Sequence, residues 1–312
     1  MRILITGVAG FIGSNLADRL LREGHDVVGL DNLAYGVREQ VPAAVQFYQT
    51  DIRSDEIYSL FEGVSHVFHL AAKNCISDCQ ADPVETMDIN VTGTANVFEA
   101  ARRSAVKKVI YAESSAMYEG SDVLPTPETE VNPESFYAVS KMCSMFLGEA
   151  YRRYHGLRST ALRYFCVYGP RQDYRRTIPP VMSAFIIKLL RGEAPVIYGT
   201  GDKRRDFVYV DDINDFHVQC MEDARTDDRV FNLGSGVNYS VNEIYQHISA
   251  LLGADVPPVH KPDLPGEAQE TLADVSEALS LGWQPRTDIT TGLACMVDYI
   301  KGELERGAVG CR

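Results

Sequence analysis

Through the first half of the chain, short and continuously apolar runs alternate with stretches whose apolar residues recur every three or four positions. Val27-Val28-Gly29-Leu30, Val67-Phe68-His69-Leu70 and Val109-Ile110-Tyr111 read as strands. Their hydrophobicity is too continuous for a sheet with one wet face. The opening Met1-Arg2-Ile3-Leu4-Ile5 also reads as a strand. Between the strands, Ile12, Leu16 and Leu20 keep a four-residue spacing, and Val91, Ala95 and Val97 through Ala101 hold one helical face. Strand–helix alternation of this kind predicts an α/β fold: a doubly wound parallel sheet with helices on both sides.

The first strand runs into Thr6-Gly7-Val8-Ala9-Gly10-Phe11-Ile12-Gly13, which opens the first helix. Gly7 permits a tight turn, Gly10 lets backbone approach a pyrophosphate, and Gly13 allows close packing of helix on strand. The helix N-terminus adds N–H donors and positive dipole. A glycine trio between a strand and a helix predicts a Rossmann-type dinucleotide site. Asp31 ends the second strand about twenty residues on, where a carboxylate accepts both ribose hydroxyls. It would repel a 2′-phosphate, and Asn32 and Leu33 offer no arginine to hold one, so NAD is expected rather than NADP. Asp51-Ile52, after the next strand, is a candidate flank for the adenine.

The regularity loosens after Thr160-Ala161-Leu162-Arg163. Pro170, Pro179, Pro180 and Pro195 punctuate a stretch that ends in the strand-like Phe207-Val208-Tyr209-Val210, and turn clusters sit at Gly199-Thr200-Gly201 and Gly234-Ser235-Gly236. At 312 residues, length alone suggests two domains. The expected division is an NAD-binding domain over 1–165, joined by about 206–234, and a smaller, interleaved substrate-binding domain from 166–205 and 235–312.

Charge narrows the partners. A net charge of −13 repels long polyanions, which argues against nucleic acid and anionic membranes. The balance of 45% hydrophobic and 23% charged residues is that of a soluble globular protein. No secretory signal is visible, and no apolar run approaches a membrane span. Cys75, Cys79, Cys143, Cys166, Cys220, Cys295 and Cys311 are an odd, scattered set with no companion ligands. Reduced cytoplasmic thiols, with no metal, are therefore expected.

The glycine motif, His69-Leu70-Ala71-Ala72 and Tyr137-Ala138-Val139-Ser140-Lys141 together resemble the extended short-chain dehydrogenase/reductases, the NAD-dependent nucleotide-sugar epimerases and dehydratases, and among these the UDP-hexose 4-epimerases. The likeness continues through Arg163-Tyr164-Phe165-Cys166-Val167-Tyr168-Gly169-Pro170, Arg204-Arg205-Asp206-Phe207 and Leu281-Gly282-Trp283. Tyr137 and Lys141, four apart, project from one helix face. A phenol titrates near about 10, too high for a base at neutral pH. A neighbouring ammonium and a cationic nicotinamide favour the phenolate, which then takes a proton from a sugar hydroxyl. By resemblance, Ser114 shares a hydrogen bond with the substrate oxygen and Tyr137, and Leu70, Ala71 and Ala72 line the cofactor. Lys73 matches a position that touches cofactor or sugar in some epimerases, and a solvated lysine is the alternative.

Dehydratases of this family carry an Asp-Glu pair just after the hydroxyl residue, because eliminating water needs a second acid and base. Here those positions are Ser115 and Ala116, and neither Glu113 nor Glu119 is obviously brought to the substrate. Epimerisation needs only hydride out, rotation of the keto-sugar and hydride back.

On the substrate side, Ser115 borders the sugar, Arg205 matches the family's diphosphate-binding arginine, and Tyr198 is a candidate to stack on a nucleobase. Cys166 stands where the family usually has Asn, and Leu264 where a second arginine usually precedes Pro265-Gly266-Glu267. Arg175, Arg176 or Lys261 could supply a rearranged grip. Thr271 aligns with a pocket-narrowing tyrosine and would leave room for an N-acetyl group.

The reading is an NAD-dependent nucleotide-diphosphate-sugar 4-epimerase, acting on a UDP-hexose or UDP-N-acetylhexosamine. A dehydratase, a UDP-glucuronate 4-epimerase and a non-catalytic NAD-sensing regulator are the alternatives. The resemblance also implies a homodimer built from the helices around Val91–Arg103 and from Phe136 to Tyr154. The second helix presents Met142, Phe146, Ala150 and Tyr154 at helical spacing.

Overall fold

The computed structural model describes residues 1–174, 179–263 and 268–307. Its first half runs β1 (Arg2–Thr6), α1 (Phe11–Arg22), β2 (Asp26–Asp31), β3 (Gln46–Gln49), β4 (His66–His69), α2 (Ile76–Ala81), α3 (Pro83–Met87), α4 (Gly93–Arg103), β5 (Lys108–Ser114), α5 (Phe136–His155) and β6 (Arg158–Tyr164). There follow β7 (Cys166–Tyr168), α6 (Val181–Leu190), β8 (Val196–Tyr198), β9 (Arg204–Tyr209), α7 (Val210–Glu222), β10 (Arg229–Leu233), β11 (Asn238–Ser240), α8 (Val241–Leu252), β12 (Val259–Lys261), α9 (Ser276–Ser280) and α10 (Ile289–Glu305).

Among the described residues, seven strands form one sheet in the order β3-β2-β1-β4-β5-β6-β10, every neighbouring pair parallel. Strand order reverses between β1 and β4, so the loops after these two strands diverge and open a crevice at their carboxyl ends. One face is packed by α1 and α7 around Leu16, Leu20, Ile213 and Phe216. The other is packed by α4 and α5, around Val97, Phe98, Ala101 and Tyr111. Both faces are dry, as the unbroken apolar runs of the strands require.

Outside the sheet, β7, β9 and β11 make a three-stranded sheet, and β8 and β12 a two-stranded one. Two boundaries differ from the sequence reading. Strand β9 stops at Tyr209 and Val210 opens α7, because Asp211 and Asp212 sit well in a first helical turn. The helix expected from Val91 is regular only from Gly93, and Asp88–Thr92 is a π-helical turn.

Candidate active site

The turn between β1 and α1 depends on its glycines. Gly7 has φ +74°, and a Cβ there would lie 2.8 Å from the Ala71 nitrogen. A Cβ on Gly13 would lie 2.2 Å from the Gly7 carbonyl oxygen. Gly10 is the N-cap of α1, with Phe11 and Ile12 as its first residues. Ala71 N donates to Thr6 Oγ1 (3.2 Å) and Leu70 N to Thr6 O (3.2 Å), so the Leu70–Ala72 backbone runs beside this turn. A cleft at the N-terminus of α1 is lined by Ala9, Gly10, Phe11, Tyr35 and Arg171.

Asp31 ends β2 and is buried. Its carboxylate accepts from Ala9 N at 3.0 Å and Leu33 N at 2.8 Å. Burial raises its pKa, and those two N–H groups oppose the rise. Asp51 accepts from Asn32 Nδ2 at 2.9 Å and pairs with Arg53, which holds its carboxyl well below the usual range. Ile52 beside it is buried against Gly93, where a Cβ would strike its side chain at 2.6 Å. Close backbone approach at Gly7 and Gly13, a helix N-terminus and a carboxylate at the end of β2 fit a dinucleotide with a free ribose 2′-hydroxyl.

Lys73 is not the solvated lysine that the sequence left open. It is 4% exposed and its Nζ pairs with Glu85 at 2.6 Å. Its backbone is held on both sides by Asn90, which accepts from Lys73 N (2.8 Å) and donates to Lys73 O (2.9 Å). Asn90 also donates to Ser140 Oγ at 2.9 Å, tying the loop after β4 to the helix that carries Tyr137. Sequence reasoning missed Asn90. The available signal was an asparagine inside an apolar helical stretch, where its side chain competes with the backbone.

Ser114, Tyr137 and Lys141 come from β5 and α5. Ser114 is the last residue of β5, and its Oγ accepts from Ala116 N at 3.2 Å, capping the short turn Ser115–Tyr118. Helix α5 starts at an N-cap, Ser135, whose Oγ accepts from Ala138 N at 3.1 Å. Both Ser135 N (2.8 Å) and Ser135 Oγ (3.1 Å) donate to Glu119. Tyr137 and Lys141 follow in the first two turns, both buried. Lys141 Nζ donates to Ala112 O at 2.9 Å and lies 6.0 Å from the Tyr137 ring centroid. Burial pushes the Lys141 ammonium down to about 8, and Glu113 pulls the other way. The structure thus gathers Ser114, Tyr137 and Lys141 at one end of the sheet.

Both nearby glutamates are committed to structure. Glu113 is buried and pairs with Arg163 at 2.7 Å, while Glu119 holds the start of α5. Ser115, in the turn after Ser114, is partly buried and carries no acid–base group.

Among the candidate substrate residues, Cys166 opens β7 opposite Phe207 of β9, two residues after Arg205. Thr271 runs beside the same strand: its N donates to Arg204 O at 3.1 Å and its Oγ1 accepts from Asp206 N at 3.3 Å. Cys166, Arg205 and Thr271 are therefore assembled around β9, and Arg205 Nη1 donates to Arg204 O at 2.9 Å. The two cations before Arg205 are engaged, Lys203 with Asp263 at 2.6 Å and Arg204 with Glu243 at 3.0 Å. Tyr198 ends β8 in the separate two-stranded sheet, opposite Lys261. Arg175, Arg176 and the stretch Leu264-Pro265-Gly266-Glu267 lie outside the described residues. Among the described residues no group of three His, Cys, Asp or Glu side chains is arranged to hold a metal.

Residues 3–234 match the model of the NAD dependent epimerase/dehydratase family. The UDP-glucose 4-epimerase of Mycolicibacterium smegmatis is 37% identical, over 97% of this chain and 99% of that protein. The crystal structure of a UDP-glucose 4-epimerase from Thermotoga maritima with UDP-glucose superposes with a TM-score of 0.94 at 35% identity, covering 97% of this chain and all of that one. A UDP-N-acetylglucosamine 4-epimerase from Methanobrevibacter ruminantium, in complex with UDP-N-acetylmuramic acid, gives a TM-score of 0.93 at 30% identity, over 97% and 98% of the two chains. With the glycine turn, Asp31 and the Tyr137–Lys141 helix in place, the chain belongs to the NAD-dependent epimerase/dehydratase family and uses NAD as its cofactor.

Proposed function

We propose that this chain interconverts two UDP-hexoses or UDP-N-acetylhexosamines that differ at carbon 4. The observation that carries this reading is the engagement of Glu113 and Glu119 in structural bonds, beside Ser115 and Ala116, which have no acid–base chemistry. The site then holds a single proton-transfer unit, enough for epimerisation and too little for loss of water.

In that unit Tyr137 takes the proton from the sugar hydroxyl. Ser114 donates to the same oxygen and orients it. The Lys141 ammonium, anchored on Ala112 O, favours the phenolate electrostatically. Bound NAD supplies a reversible hydride acceptor, restored within each turnover. Gly7, Gly10, Phe11, Ile12 and Gly13 would hold its pyrophosphate, Asp31 its ribose, and Asp51 and Ile52 its adenine. Arg205, Cys166, Tyr198 and Thr271 face the nucleotide sugar, with the guanidinium fork suited to a diphosphate.

Substrate labelled with deuterium at carbon 4 tests the reaction. The label should remain at carbon 4 of the product in ordinary water, with no change of mass. A product lighter by one water, or label at carbon 6, would overturn the reading in favour of dehydration.

The working form is a homodimer in the cytoplasm. Helix α5 leaves Phe136, Phe146 and Tyr154 at 40%, 58% and 77% exposure, and α3, packed on it, adds Val84 at 79%. So large an apolar face on one helix pair suits a second copy of the chain. Among the described residues no disulfide joins the cysteines, as a reducing compartment keeps them. No helix among the described residues is long and apolar enough to cross a membrane.

A further inference from the structure

Behind the catalytic residues lies a buried polar web that the reaction itself does not use. Glu113, Arg163 and Asn232 are Cα partners across three adjacent strands, β5, β6 and β10. All three are at most 2% exposed. Arg163 Nε donates to Glu113 Oε2 at 2.7 Å. Its Nη1 donates to Tyr118 Oη (3.0 Å) and Glu128 O (2.6 Å), and its Nη2 to Met145 Sδ (3.4 Å), one helical turn beyond Lys141. Tyr118 donates in turn to Asn232 Oδ1 at 2.6 Å. Asn232 Nδ2 donates to Thr126 O (2.9 Å) and Asp274 O (3.1 Å), three residues from Thr271.

We propose that Glu113 and Arg163 are a positioning pair for Ser114 and Lys141, fixing the end of β5 and setting the electrostatic potential beneath the proton-transfer unit. The inference rests on the assignment of Tyr137 and Lys141 above. Sequence position supports it: Glu113 sits between Ala112, whose carbonyl anchors Lys141, and Ser114. Charge supports it as well. The groups that face Lys141 are Glu113 on β5, Cys79 on α2, His69 on β4 and Tyr137 on its own helix. Burial holds His69 neutral and pushes the Cys79 thiol up; it raises the Glu113 carboxyl as well, and the Arg163 guanidinium paired with Glu113 opposes that rise. Tyr111 on the same strand is fully buried and lies beside Glu113, which keeps its phenol protonated.

A pair with only a fold to support is an expensive choice, since apolar side chains of similar volume often do as well in a core. Glu113 Oε1 makes no hydrogen bond of ordinary geometry among the described residues, although the Tyr111 phenol is near it. Of the pair, Glu113 is the member that favours the charged form of Lys141, the buried cation anchored on the neighbouring Ala112 carbonyl.

The sign of the effect gives a test that a structural role cannot mimic. Removing a negative charge lowers the pKa of every neighbouring group, and removing a positive one raises it. In Glu113→Gln, the pH dependence of kcat should move toward acid by about one pH unit, and in Arg163→Gln toward alkali by a similar amount. Glu113→Asp keeps the charge and should keep the wild-type profile at reduced thermal stability. The double variant Glu113→Gln/Arg163→Met loses both charges, is the better folder, and should titrate between the two singles. Profiles that stay within a few tenths of a pH unit of wild type, or that move the same way in both single variants, overturn the proposal. Tyr137→Phe serves as the control. If it kept wild-type turnover, the assignment of the site would fall and this inference with it. If it lost turnover while the Glu113→Gln profile stood still, the positioning pair alone would fall.

Discussion

Glu119 holds Ser135 through both carboxylate oxygens, one on the backbone N–H and one on the hydroxyl. Glu119 ends the turn that Ser114 begins, and Ser135 caps the helix that carries Tyr137 and Lys141. One carboxylate thus ties the turn after Ser114 to the start of the helix that carries Tyr137 and Lys141. Glu119→Ala should leave NAD binding intact and lower kcat by about 10- to 100-fold, the scale of a misplacement near one ångström. Steady-state kinetics with the fold checked by circular dichroism decides it, and an unchanged kcat would mean that the cap alone positions Tyr137.

Asp31 carries two duties. The first is the one proposed at the ribose; the second is to accept from Ala9 N and Leu33 N, which holds the turn on both sides. Asp31→Ala should shrink the preference for NAD over NADP by at least about tenfold, equivalent to ~1.4 kcal/mol. It should also cost on the order of 1 kcal/mol of stability through the two orphaned N–H groups. Calorimetric titration with each cofactor measures the first effect. Equal affinity of the wild-type protein for both would refute the role given to this carboxylate.

Thr271 is tied to β9 through its backbone N–H on Arg204 O, a bond that a larger side chain at this position keeps. Thr271→Tyr should exclude N-acetylated sugars while sparing plain hexoses, with a discrimination of about 100-fold in kcat/KM. A panel of UDP-sugars read by NMR would reveal it. Equal losses on both classes would place the sugar elsewhere.

Three histidines are buried in neutral form. Burial lowers His69 and His217 to about 3 and His66 to about 4, against about 6.5 in an unfolded chain. A depressed folded value means that the unfolded chain binds the extra protons. Stability is therefore fully present above pH 6.5 and is lost as the pH falls toward 4. With three such sites the slope approaches about 4 kcal/mol per pH unit once all are protonated in the unfolded chain. Thermal melts from pH 7.5 to 4.5 should show Tm falling steeply below 6.5. A Tm flat down to pH 4.5 would mean that these rings take up protons without unfolding.

The glycine turn, Asp31 and the Tyr137–Lys141 spacing were legible because each is a local pattern, set within a few residues by turn or helix geometry. Asn90, the Glu119–Ser135 clasp and the Glu113–Arg163 pair were not. Glu113 meets Arg163 only because β5 and β6 align with that register across 50 residues of chain. Composition carries no trace of a register. Lys73 illustrates the same limit: its burial is set by Asn90 and Glu85, on the far side of α2. Val210 was misplaced for a more local reason. Its apolar run continues β9, but the acidic pair behind it decides for helix.

Strand β10 covers the outer edge of β6, yet it arrives 65 residues after β6 ends. On the ribosome, the first six strands of the sheet emerge with that edge bare, and it stays bare while residues 165–228 are made. For this interval the nascent sheet presents an unpaired row of backbone donors and acceptors to any other strand nearby. Chaperone demand should therefore peak late in synthesis. Chains truncated near residue 225 should aggregate, whereas those extended past residue 233 have the strand that closes the edge.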